Sequence, residues 1–74
     1  MQLSKMKPGD SGEILSIQAN GVIRQRLMDL GFYPGVFVEV NRNAPFRDPI
    51  ECIVSGQQVS VRRHEVQGVE VAVS

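Results

Sequence analysis

The spacing of apolar residues changes period along the chain. Glu13 to Gln18 reads as a first strand with imperfect alternation: Ile14 and Leu15 are adjacent, and the pattern leaves open which of them faces inward. Over residues 21–30 the period lengthens. Ile23, Leu27 and Leu30 fall at i, i+4 and i+7, the narrow apolar stripe of a helix, with Arg24, Gln25, Arg26 and Asp29 outside it. Asn20 precedes the stripe, where a side-chain oxygen accepts an unpaired N–H of the first turn. Gly31 follows it, where a left-handed residue ends a helix, and Phe32 can fold back over the last turn. So short a helix is marginal alone and must be held by packing on a sheet.

Tyr33-Pro34-Gly35-Val36 fits a type II turn, with proline first and glycine second of the central pair. In the next strand, Val36 to Asn41, Val36, Val38 and Val40 share one face and Phe37, Glu39 and Asn41 the other. Arg42 to Pro49 reads as a loop. Ile50 to Val54 is a strand, and Ser55-Gly56 is a two-residue hairpin turn. That turn sets Cys52 opposite Val59 and Ile50 opposite Val61, which aligns apolar pairs on one face. Residues 62–68 have room for one helical turn, which Gly68 can end. Val69, Val71 and Val73 then alternate with Glu70 and Ala72 as a last strand. Residues 1–12, with Pro8, Gly9 and Gly12, read as turns.

The order is therefore β-α-β-β-β-β. Short, twisted strands with a small helix suit a closed or partly open barrel, which removes exposed edges; a flat helix-on-sheet arrangement is the alternative. Eleven valines and five isoleucines against four leucines favour pleated strands. The 74 residues make one domain, 1–74, too small for a deep cleft with a catalytic constellation, which argues against an enzyme. Eight basic and eight acidic residues cancel, which argues against a dedicated nucleic-acid or anionic-membrane binder. The lone Cys52 cannot form an internal disulfide and suits a reducing cytoplasm. No apolar run exceeds three residues, so neither a membrane span nor a signal peptide is expected.

The chemistry-bearing residues are sparse. His64, Glu65, Cys52 and Asp48 are ligand types, but none of the paired spacings of a zinc site occurs. Cys52 falls on the inward face, where a free cysteine is a small hydrophobe. His64 and Glu65 read as a solvated pair. Ser16, Ser55 and Ser60 share one possible histidine partner and lack a glycine elbow, and neither phosphate-loop pattern is present. No metal, cofactor or catalytic residue is therefore assigned. What remains is a surface. Arg42, Arg47, Arg62 and Arg63 lie in loops or at strand ends, and arginine outnumbers lysine six to two, which leans towards interface use. Met28 lies opposite the helix stripe, Phe32 and Tyr33 follow the helix, and Phe46 sits in a loop between prolines; together they suit an adhesive patch.

Three ordered strings resemble one family. Residues 26–35, Arg-Leu-Met-Asp-Leu-Gly-Phe-Tyr-Pro-Gly, are similar to the RLxxLGxxPG signature of the FeoA family of bacterial ferrous iron uptake. Asn43 to Ile50 resembles its APLGDPI segment, and Ser60 to Val66 its LRKxEA stretch. The resemblance covers about residues 8–73 and implies a mainly β fold: a small SH3-like β-barrel, one short α-helix inserted after the first strand, and a short helical turn before the last. It implies a cytoplasmic, non-enzymatic accessory whose partner is the membrane transporter FeoB, through its GTPase region, with no nucleic acid and no membrane contact except through that partner. Arg26 would order the helix end, by an ion pair; Leu27 and Leu30 would anchor the helix; Gly31, Pro34 and Gly35 would shape the turn. The expected partner-binding set is Arg26, Met28, Tyr33, Pro34, Ala44, Pro45, Phe46, Arg47, Asp48, Pro49, Arg62 and Arg63. The chain departs from the family at Phe46-Arg47, which replaces Leu-Gly and removes a permissive backbone position, and at Val66, which replaces Ala. The alternative function is a metal-responsive module that binds Fe²⁺ or another transition metal through His64 and Glu65 shared within an oligomer. A monomer and a weak homo-oligomer fit equally.

Overall fold

A computed structural model describes residues 1–74. Strands β1 (Ser11–Ile17), β2 (Phe37–Val40), β3 (Ile50–Val54), β4 (Gln57–Val61) and β5 (Val69–Val73) form one sheet in the order β4-β3-β2-β1-β5. All its pairings are antiparallel. Helix α1 (Gly21–Asp29) follows β1, and a 3₁₀ turn (Arg63–Val66) joins β4 to β5. The inward side chains of all the strands meet in a single cluster with Leu27, Phe32 and Val66, so the sheet curls around one core as the barrel reading requires.

β1 resolves the ambiguity left by its alternation. Its pairing with β5 slips between Ile14 and Ser16. Leu15 is the extra residue of this bulge and is 52% exposed, while Ile14 is buried. The slip brings Ile17 back to the inner face opposite Val69. The strand starts two residues earlier than its alternation predicts, because Gly12 carries no side chain to signal a face. A β-carbon there would lie 2.1 Å from the Ala72 carbonyl oxygen, which leaves room for glycine alone.

The helix is capped as its flanks predict. Asn20 Oδ1 accepts the Ile23 N–H at 3.0 Å. At the other end Gly31 takes φ +103°, its N–H donates to Met28, and the Phe32 N–H reaches back to Leu27. This pair of hydrogen bonds is the Schellman ending; it drives Phe32 fully into the core and so removes it from the surface patch expected of Met28, Phe32, Tyr33 and Phe46. One expectation needs correction. Leu27 is completely buried, but Ile23 and Leu30 are only half-buried against the core edge, so Leu27 carries the anchoring. Only the middle of the nine-residue helix reaches the core, and Ile23 and Leu30 near its ends pack at the edge of the cluster. Met28 is half-buried rather than facing water.

Gly35 adopts φ +94° in the expected turn, with the Val36 N–H donating to Tyr33 at 3.1 Å. Ser55 and Gly56 both have positive φ, as a type I′ turn needs, and Cys52 pairs with Val59 and Ile50 with Val61. Gly68 has a different role from the helix-ending one expected of it: the Gln18 backbone lies against it. The N-terminal residues are more than turns. Leu3–Lys5 form a 3₁₀ turn, and Leu3 and Met6 are core residues.

Candidate functional site

A groove of about 480 Å³ opens where residues 4–8 face residues 44–47. Local hydrogen bonds shape both banks. On one, Asp10 accepts the Lys7 N–H through Oδ2 at 2.9 Å, and the Gly9 N–H ties the turn to Val40 at 2.9 Å. On the other, Asn41 Oδ1 accepts the Asn43 N–H at 3.0 Å, an Asx turn that launches the loop. Met6, Val40 and Ile50 form an apolar floor. Phe46, 67% exposed, stands on the rim between Pro45 and Arg47. The Asp48–Pro49 peptide is cis.

Arg63 holds the banks together. Its backbone N–H donates to Asp48 Oδ1 at 2.9 Å. Its guanidinium donates through Nη1 to the Ser4 carbonyl and through Nη2 to the Arg47 carbonyl. The buried Nε–H has no acceptor within the chain. Arg63 is thus half-buried and turned inward, whereas Arg62 is exposed.

The same 3₁₀ turn reaches the helix. Glu65 Oε1 accepts the Arg62 N–H at 2.9 Å, and Oε2 pairs with Arg26 Nε at 3.0 Å. The predicted ion pair of Arg26 therefore exists, and Glu65 is its partner. The pairing corrects the reading of His64 and Glu65 as a solvated pair, because the Glu65 side chain is only 12% exposed.

Of the predicted residues, Ala44, Pro45, Phe46, Arg47 and Arg63 line one groove. Asp48 joins them through Arg63, and Pro49 leads into β3. Met28, Tyr33 and Pro34 lie outside the groove, at the end of α1 and the turn after it; Tyr33 and Pro34 are exposed. Arg26 connects to the groove through Glu65 and the turn carrying Arg63. Sequence reasoning missed Ser4, Lys5, Met6, Lys7, Pro8 and Glu51. Its one available signal was that both lysines of the chain lie at residues 5 and 7.

Burial pushes the Cys52 thiol from its ordinary 9.0 up to about 12, further from the thiolate that nucleophilic or metal-binding chemistry would use. No three of the His, Cys, Asp and Glu side chains gather where a metal ion could sit among them. Val66, where the resemblance implies an alanine, is wholly buried in the core.

Comparison with known proteins agrees with this geometry. The FeoA domain model matches residues 1–73. The chain is 35% identical over 71 residues, 96% of its length, to the Fe(2+) transport protein A/Fe(2+) transporter FeoB fusion protein of Porphyromonas gingivalis, and spans 8% of that protein. The solution structure of FeoA from Chlorobium tepidum has a TM-score of 0.86 at 42% identity, over 99% of this chain and 70% of that one. The crystal structure of Stenotrophomonas maltophilia FeoA, a prokaryotic SH3 domain protein complexed with zinc, gives 0.81 at 30% identity, over 97% and 89%. The SH3-like barrel with an inserted helix is thus the fold of FeoA structures, and, matched over residues 1–73, the chain belongs to the FeoA domain family.

Proposed function

We propose that this chain is a non-enzymatic accessory of bacterial ferrous iron uptake that acts in the cytoplasm by binding the GTPase region of FeoB. The observation that carries the reading is the P. gingivalis fusion, in which a sequence 35% identical to this one is part of the transporter polypeptide. Fusion holds two modules at high effective concentration, as suits partners that also meet as separate chains. The chain's own features support contact rather than catalysis: a groove with a basic rim and accessible apolar side chains, and a lone cysteine buried out of reach of a substrate. No helix is long and apolar enough to cross a membrane; on this reading, any membrane association comes through the transporter.

Calorimetric titration into the isolated GTPase region of the cognate FeoB, with GDP and with a GTP analogue, tests this. Saturable binding that differs between nucleotides is the expected result. No binding with either nucleotide would rule out the GTPase region as the docking site.

The second reading, a metal-responsive module, draws on the zinc complex of the S. maltophilia relative. Here it would have to use the exposed His64 with ligands from a second molecule, because Glu65 is committed to Arg26 and the Arg62 N–H. Anaerobic titration with Fe²⁺ or Co²⁺ discriminates: saturable binding lost in His64→Ala supports it, and no binding below millimolar concentration rejects it.

A further inference from the structure

Charge is distributed unevenly over this neutral chain. Four of its eight cationic side chains, Lys5, Lys7, Arg47 and Arg63, line the groove, against one carboxylate, Glu51. Arg63 is occupied with the carbonyls of Ser4 and Arg47. Glu51 accepts from Gln58 Nε2 at 3.2 Å. The ion pairs of the chain are Met1 with Glu70 and Arg26 with Glu65, so Lys5, Lys7 and Arg47 have no acidic partner. All three are exposed. Between them the accessible apolar surface is that of Phe46, Pro8 and Pro45, over a floor of the buried Met6, Val40 and Ile50.

A cationic rim alone would suit any anion, but the apolar surface narrows the choice. A free phosphate or sulfate gains nothing from apolar side chains. Single-stranded nucleic acid calls for a row of stacking aromatics, and Phe46 is the one aromatic lining the groove. The volume, about 480 Å³, holds a few side chains rather than the face of a folded protein. An extended peptide satisfies both parts, with one apolar residue against that surface and carboxylates on the rim.

We infer that this groove docks an extended acidic segment of the transporter partner, with one apolar side chain seated against Phe46 and Pro45 and flanking carboxylates paired to Lys5, Lys7 and Arg47. The inference rests on the FeoB reading above and specifies the chemistry of that contact.

The test is the affinity of the whole chain for full-length cognate FeoB in lipid nanodiscs, at low and high salt. Lys7→Gln, Arg47→Gln and Phe46→Ala change the groove. Gln57→Glu, on an exposed position of β4, changes net charge by the same single unit as Lys7→Gln but lies elsewhere. The expected result is at least fivefold weaker binding for each groove variant, weakening of the parent with salt, and a change within twofold for Gln57→Glu. Folding of each variant is checked by its melting transition, and Lys7→Arg should keep parental affinity. Parental binding in all three groove variants, or equal weakening by Gln57→Glu and Lys7→Gln, would overturn the inference and leave the FeoB reading standing. Full displacement of the parent by inorganic phosphate at the same ionic strength would also overturn it, because a bare anion would then account for the contact. No binding of the parent to full-length FeoB would overturn both.

Discussion

Gly68 holds its place through contact rather than conformation. A β-carbon there would lie 1.7 Å from the Gln18 carbonyl oxygen, on a backbone fixed by the Gln18 N–H donating to Gly68 at 2.8 Å. Gly68→Ala should therefore lower stability by about 3 kcal/mol or more, because backbone rather than a side-chain tip must move. Gly21 gives the contrast. Nothing lies within 4 Å of its would-be β-carbon, so Gly21→Ala should raise stability, by about 0.5 kcal/mol, through a less flexible unfolded chain. Urea unfolding of both variants checks the opposite signs; equal losses would contradict the contact argument. Cys52 gives a pH prediction. Its thiol has an ordinary value of 9.0 and a folded value of about 12. Between these the unfolded chain has lost the proton and the folded chain keeps it, so stability falls as pH rises. The contribution is complete below 9.0 and lost by about 12, with a slope of up to about 1.4 kcal/mol per pH unit. Cys52→Ala should show a shallower decline than the parent across this window, and parallel declines would sink the assignment.

At the scale of elements, α1 separates what propensity can show from what packing decides. Both of its ends were legible, because Asn20 and Gly31 act through their own local geometry. The hairpin register was legible for the same reason: Ser55-Gly56 admits one pairing that keeps Cys52 and Ile50 inside. The contact face of the helix was only partly legible. Periodicity places Ile23, Leu27 and Leu30 on one stripe but does not say how much of the stripe the sheet reaches. Leu27→Ala should cost about 2–5 kcal/mol, the usual range for a buried leucine, and Leu30→Ala clearly less. Thermal or urea unfolding of the pair checks the order, and a larger loss at Leu30 would mean the helix sits rotated from this packing. The bulge in β1 was illegible for a related reason. Adjacent Ile14 and Leu15 signal an irregularity, but only the pairing with β5 decides which of them turns outward.

Across the whole molecule, the groove depends on segments far apart in sequence, and Arg63 is where they meet. The loop from Ala44 to Pro49 stood out through its prolines and aromatic. The opposite bank did not, because its key contact is the Ser4 carbonyl, a group every residue possesses. A carbonyl partner leaves no mark in a sequence, so Arg63 read as contact surface while the structure uses it as a clasp. A planar guanidinium can donate to Ser4 and Arg47 at once; an ammonium on a flexible stem cannot reproduce that fork. Arg63→Lys keeps the charge and the backbone bond to Asp48 but should release the banks. The expected loss is about 1–2 kcal/mol, the order of one or two charged hydrogen bonds on a half-buried group. The more specific outcome is local: amide hydrogen exchange should quicken in residues 3–8 and 43–48 and stay parental in β3, β4 and α1. A uniform rise would mean that Arg63 supports general stability, and no rise would mean that the banks are held by their own turns. Only the local pattern shows that one residue sets the width of the groove.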